Sequence, residues 1–257
     1  MDKPDQEWFA EWRESERFDM DAALIRVMGD TGYCLRATLA AALCELGHLS
    51  SPDPGSGTAV RLFRRVKERW GLTESITPKL EVRGGRAPEI MRLTERGRRA
   101  YQLLSGDREP RESEYDRLLA RHKSPEHVLL NLQARDALLA HGAQAADLYP
   151  QPLRLPDGGT FDPDIVAVFD GKPLYVECER GGPKKREERQ RKWDNYASVT
   201  RDFHIVVPNN RVQSNIISEV SRWSLETRTD VTLHICNLSK LQPEGPLWTY
   251  ERRLSWA

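Results

Sequence analysis

The stretch FDPDIVAVFDGKPLYVECE, Phe161 to Glu179, constrains this chain more than any other. Its centre is Asp170-Gly171, the dipeptide that best specifies a two-residue hairpin turn. Two short apolar runs flank it, Ile165 to Phe169 and Lys172 to Val176. Closing that turn pairs Phe169 with Lys172, and counting outward pairs Val166 with Tyr175 and Asp164 with Glu177. Asp164 and Glu177 then share one sheet face with side chains roughly 5 Å apart. Glu179, two residues on, points the same way because strand side chains alternate. Like charges opposed on a sheet are destabilising unless something offsets them, and a divalent cation with oxygen ligands is the natural candidate.

The 257 residues suffice for one large or two small domains. With 39% hydrophobic and 30% charged residues the chain reads as globular, and no apolar run approaches a membrane span. The acidic start lacks the basic end and apolar stretch of a signal peptide, so the expected location is cytoplasmic, with no membrane partner. Cys34, Cys44, Cys178 and Cys236 lack zinc-type spacing and read as reduced core residues.

Net charge is zero, but it is unevenly spread. Residues 1–20 hold three basic against seven acidic side chains and read as an acidic N-terminal arm; residues 21–105 hold fourteen basic against nine acidic. A basic segment inside a neutral chain is a footprint for nucleic acid, although solvated faces give similar counts.

Periodicity predicts helices from Asp21 to Met28 and Leu35 to Leu46, then a turn-rich break, SSPDPGSG. Thr58 to Trp70 reads as a helix that turns Val60, Leu62, Phe63 and Val66 inward and Arg61, Arg64, Arg65, Lys67 and Arg69 mainly outward. Ser75 to Leu93 alternates as a hairpin around Gly84-Gly85, bracketed by Arg83 and Arg86, and Thr94-Glu95 opens a last helix. Helix, helix, basic helix, hairpin, helix is the order of a winged helix-turn-helix, in which the third helix enters the major groove and the hairpin reaches phosphates or the minor groove. The phrase LTERGRRAY looks like the junction after such a wing. A small helical domain that binds a protein instead gives the same element order.

Residues 106–124 are charged and suit a linker or connecting helix. Residues 125–257 read as an α/β layered domain. Ser124-Pro125-Glu126 opens a helix burying Val128, Leu129, Leu132 and Leu138. Strands are expected at Gln151 to Leu155, Pro163 to Phe169, Pro173 to Glu179, Phe203 to Pro208 and Val231 to Leu238, the first three as a meander, with helices at Lys184 to Val199 and Val212 to Leu225.

With Pro163-Asp164 in one strand and Glu177-Cys178-Glu179 in the next, this half resembles the PD-(D/E)xK nuclease superfamily over roughly Pro125 to Pro208. The resemblance implies a restriction-endonuclease-like α/β fold in which Asp164 and Glu177 hold Mg²⁺, with Mn²⁺ as a substitute. It also implies that Glu126 is the additional acid of the preceding helix. Position 179 departs from the pattern, because glutamate stands where lysine is expected. Lys192 on the following helix is the best substitute amine, ahead of Lys184 and Lys185. Across the wider chain, Glu126 to Leu132 (EHVLLNL), the Pro163-Asp164 strand, Val176 to Gly181 (VECERG) and the Lys192/Tyr196 helix are similar to the replication-relaxation family of bacterial plasmids and mobile elements. That resemblance implies a magnesium-dependent DNA endonuclease or nickase acting on double-stranded DNA in replication or mobility. A second copy of the chain, or proteins of a replication or mobility complex, would be further partners.

Plainer readings stand beside these. Asp164 suits a turn after proline, Glu177 and Glu179 a solvent-facing strand edge, Lys192 a solvated helix face, and His127 packing at a helix start. In function, the alternatives are a non-catalytic DNA-binding regulator or replication accessory on a degenerate nuclease fold, and a defence-type restriction nuclease.

Overall fold

A computed structural model describes residues 3–79, 88–182 and 185–256; Arg83, Arg86 and Lys184 lie outside the described residues. The chain divides into two compact units, Met1–Pro125 and Glu126–Ala257. It is a mixed α/β protein, helical in its N-terminal part, and among the described residues no helix is long and apolar enough to cross a membrane.

The first unit begins with α1 (Lys3–Arg13), where the sequence suggests only an acidic arm. Trp8, Phe9 and Trp12 fall on one stripe of that helix. Trp12 is fully buried, with its ring 4.9 Å from Phe18. Burying these rings outweighs the local negative charge, and so the segment folds. Helices α2 (Phe18–Thr31), α3 (Arg36–Glu45) and α4 (Gly57–Arg64) follow, the last continuing as a π-helical turn over Arg65–Arg69. Their shared core holds Leu24, Ile25, Leu39, Leu43, Leu62, Phe63 and Val66. Ser56 caps α4 by accepting a hydrogen bond from the Ala59 amide.

Strands β1 (Thr73–Ile76) and β2 (Ile90–Leu93) pair antiparallel, Thr73 opposite Leu93 and Ile76 opposite Ile90. This is the base of the expected hairpin; its tip lies outside the described residues. Thr94 caps α5 (Glu95–Ser105), accepting from the Gly97 amide and donating to the Gly71 carbonyl. Gly97 is required there, since a Cβ would sit 1.9 Å from the Leu72 carbonyl oxygen. Residues 106–124 are docked rather than free. The Arg111 and Glu114 amides donate to Gly29 and Gly32, and α6 (Glu114–His122) buries Tyr115 and Leu118 while Arg92 pairs with Asp116.

The second unit starts with α7 (Pro125–Ala140), whose Val128, Leu129, Leu132 and Leu138 are buried as expected. Its sheet runs in the order β10 (Tyr250–Leu254), β9 (Val231–Asn237), β8 (Asp202–Val207), β7 (Lys172–Cys178), β6 (Ile165–Phe169), β3 (Ala145–Asp147). The β7–β8 and β8–β9 pairs are parallel, bridged by α8 (Arg186–Val199) and α9 (Asn210–Thr227), and the other pairs are antiparallel. Parallel neighbours need such crossovers, whereas Asp170-Gly171 suffices to join β6 to β7. Trp193 and Tyr196 of α8 stack on Phe203, with ring centroids 5.9 and 4.4 Å away, and Ile216, Val220 and Trp223 of α9 complete that core.

The meander is corrected at its first strand. The strand beside β6 is β3, with Ala146 opposite Ala167. Leu153–Arg154 (β4) pairs instead with Thr160–Phe161 (β5) in a separate ribbon turning through Asp157, Gly158 and Gly159. Three residues reading AAD carry no apolar alternation, so β3 leaves no mark in the sequence.

Candidate active site

The turn at Asp170-Gly171 sets the site's geometry. Both residues have positive φ, 48° and 73°, the backbone of a type I′ turn. The ladder it starts runs from Phe169–Lys172 through Val166–Tyr175 to Ile165–Val176. Asp164 and Glu177 are the next residues along the two strands, as the sequence count expects. Both are buried, and so is Glu179.

Each carboxylate has its own partners. Asp164 accepts a hydrogen bond from the Cys178 amide (2.8 Å) on Oδ2, and its Oδ1 lies 3.1 Å from His127 Nε2 in the first turn of α7. Lys192 on α8 touches both remaining acids, Glu177 and Glu179, the latter at 2.5 Å. Tyr196, one turn further along α8, anchors the helix to the sheet by donating to the Tyr175 carbonyl and accepting from the His204 amide. That anchor aims Lys192 at the ends of the strands.

Electrostatics separates the acids. Burial opposes ionisation of Asp164, but the His127 contact, the Lys192 charge and the Cys178 amide together hold its carboxyl well below the usual range. Burial pushes the Glu177 carboxyl up to about 8, outweighing the opposing pull of Lys192, and Asp164 and Glu179 add smaller contributions to the rise. Burial alone would lower Lys192, yet Glu177, Glu179 and Asp164 raise it well above an ordinary lysine. Lys192 is therefore a fixed cation at neutral pH, Asp164 a fixed anion, and Glu177 the acid that holds a proton.

These groups open into a cleft of about 310 Å³ lined by residues that include His127, Asp162, Asp164, Glu177, Lys192 and Asn195. Asn195 donates to the Thr160 carbonyl, tying the β4–β5 ribbon to α8. Glu179 sits behind Lys192 instead of lining the cleft, and Glu126 lies beside Arg180, 3.6 Å away, also off its wall. Glu188, Arg191, Lys192 and Asn195 line it together because they share one face of α8; helical spacing from Lys192 marks that face in the sequence. His127 carries no comparable signal, since a histidine after the first residue of a helix is usually packing.

In the first unit, Arg61, Arg64 and Arg69 are exposed, with Arg69 lying 4.7 Å over the Trp70 ring. Arg65 instead makes a forked ion pair with the fully buried Asp21, and Lys67 pairs with Glu89 at 3.2 Å. The basic helix thus divides into outward cations and cations bound to their own domain. Arg83 and Arg86, expected at the hairpin tip, fall outside the described residues.

The chain matches no protein-family model, no curated protein and no solved structure.

Proposed function

We propose that this protein is a magnesium-dependent DNA endonuclease or nickase, with a PD-(D/E)xK-type second unit and a winged-helix first unit that binds duplex DNA. The observation that carries the reading is the meeting of Asp164, Glu177 and the Lys192 ammonium in one open cleft. A solvated strand edge would have left these groups apart and exposed. The carboxylate oxygens of Asp164 and Glu177 suit Mg²⁺ or Mn²⁺, and among the described residues no cysteine lines the cleft; His127 adds a nitrogen beside Asp164. Asp164 and Glu177 would hold the ion. When bound, it supplies Lewis-acid polarisation of a phosphodiester and a lowered pKa for water.

The chain's own residues do the rest. His127 and the Cys178 amide keep Asp164 ionised and oriented. Glu179 takes over the positioning of the amine that the usual lysine would supply in place, holding Lys192 from behind. The Lys192 charge then faces the negative charge that develops on phosphate oxygens during hydrolysis. Glu177 releases its proton when a cation offsets its neighbours.

Incubation of supercoiled plasmid with magnesium, manganese or chelator tests the reading. Parent protein is expected to convert the plasmid to open-circular or linear form only with metal, and Asp164→Ala to leave it intact. Duplex binding with an intact plasmid under every condition would assign the chain to the regulators, with Lys192 serving only to neutralise Glu179 beside a protonated Glu177.

A further inference from the structure

The first unit contains a cavity of about 240 Å³ lined by Arg17, Met20, Thr58, Arg61 and Arg65. Three arginines line it and, among the described residues, no acidic residue does. Guanidinium cannot shed its proton to relieve crowding, so the charge on this wall is permanent. One of the three is neutralised: Arg65 gives Nε and Nη2 to Asp21, which is fully buried, and the pair fixes the Arg65 fork in place. Arg17 and Arg61 have no ion-pair partner among the described residues. Arg61 folds back over the first turn of α4, where a Cβ on Gly57 would lie 3.5 Å from its Nη1. Thr58 brings a hydroxyl from that same turn. The positive end of the helix dipole adds to the field.

We infer that this cavity seats a single phosphate group. Two uncompensated positive charges and a hydroxyl suit a tetrahedral oxyanion, which arginine binds through paired hydrogen bonds; Arg65, whose Nε and Nη2 are held by Asp21, forms a fixed wall of the seat. The volume of about 240 Å³ admits one such anion with its remaining waters. The seat stands on this geometry alone; only its assignment to a phosphate of the DNA backbone rests on the proposed function. The same chemistry would equally take the phosphate of a small molecule.

Isothermal titration of the full chain with inorganic phosphate, at constant ionic strength set with chloride, tests the seat. The parent is expected to bind one phosphate, and Arg17→Gln and Arg61→Gln each to bind about tenfold more weakly, the loss of one charge-assisted contact. Circular dichroism identifies any variant that fails to fold, and Arg17, exposed at the start of α2, leaves one variant whose fold is not at stake. No saturable binding by the parent, or unchanged binding by both folded variants, overturns the proposal. Duplex DNA that displaces phosphate, with a salt dependence about one unit shallower in Arg17→Gln, makes the source a backbone phosphate. Phosphate that stays bound beside DNA makes it a small molecule. A chain that binds phosphate but no DNA loses the winged-helix reading and keeps the seat.

Discussion

Lys192 on α8 holds Glu179, at the end of β7, across 2.5 Å, and the same ammonium touches Glu177. One lysine therefore serves as the counterion of the acid behind the cleft and as a contact of the protonated acid that faces it. Under the proposed function, a divalent ion entering between Asp164 and Glu177 would compete with Lys192 for Glu177, while Glu179 would keep the amine nearby.

Lys192→Met separates these roles. Removing one partner of a buried ion pair costs about 3–5 kcal/mol, and the 20% exposure of Lys192 in its pair with Glu179 puts this case at the low end. The variant is expected to melt lower than the parent without metal, to bind magnesium several-fold more tightly by calorimetry, and to lose nicking. Weaker magnesium binding in the variant would mean that Lys192 does not contend for Glu177.

The raised Glu177 carboxyl makes stability depend on pH. Its ordinary value is 4.5 and its folded value about 8, so the folded state binds the proton more tightly. Its contribution is complete below about pH 4.5 and is lost as pH rises through 8. His204 works in the opposite direction: burial and the neighbouring His234 lower it from 6.5 to about 4, so its contribution is present above 6.5 and lost as pH falls through 4. Between pH 6.5 and 8 the Glu177 effect is separable. Urea midpoints of the parent without metal should fall across that window, by on the order of 1–2 kcal/mol in stability, and Glu177→Gln should flatten the fall. Equal slopes in the two proteins would place the proton elsewhere.

Much of this site is legible in the sequence because a two-residue turn transmits register without ambiguity. Asp170-Gly171 sets which residues oppose, and alternation places Glu179 on the same side as Glu177. Lys192 is legible as a substitute amine four residues before Tyr196. Its bond to Glu179 depends on how α8 crosses the strands, which periodicity does not report. His127 and Asp21 are hidden for one reason: each matters through a partner distant in sequence, Asp164 and Arg65. Strand β10 is hidden because YERRL carries the charges of an exposed edge. The helix over Lys3–Arg13 was obscured by its net charge, although Trp8, Phe9 and Trp12 already have helical spacing.

Arg64 and Arg65 are neighbours with different tasks. Arg64 is exposed, while Arg65 neutralises a carboxylate that has no access to water. Arg65→Ala strands that charge and should destabilise the protein by about 3 kcal/mol, whereas Arg64→Ala should leave the melting temperature unchanged. With duplex DNA, Arg64→Ala is expected to weaken binding and reduce the salt slope by about one unit. A normal slope in Arg64→Ala, with binding intact, would take the α4 face out of the DNA contact.

If Asp164 holds the proposed ion, metal binding and folding are linked through it. It is buried, it accepts from the Cys178 amide, and it meets His127, so Asp164→Ala removes an acceptor from two donors as well as a negative charge from the cluster. Leaving buried donors unpaired costs about 1–3 kcal/mol, which outweighs the relief of repulsion once Glu177 is protonated. The variant is therefore expected to melt below the parent without metal. A divalent ion bound only by the folded state adds stability as the logarithm of its concentration over the dissociation constant, about 2.7 kcal/mol at a hundredfold excess. Magnesium or manganese should raise the melting temperature of the parent on that curve and leave Asp164→Ala unmoved. Scanning calorimetry with and without DNA measures both. A parent that gains nothing from either metal would make the Lys192 bridge, rather than a cation, the group that balances these carboxylates.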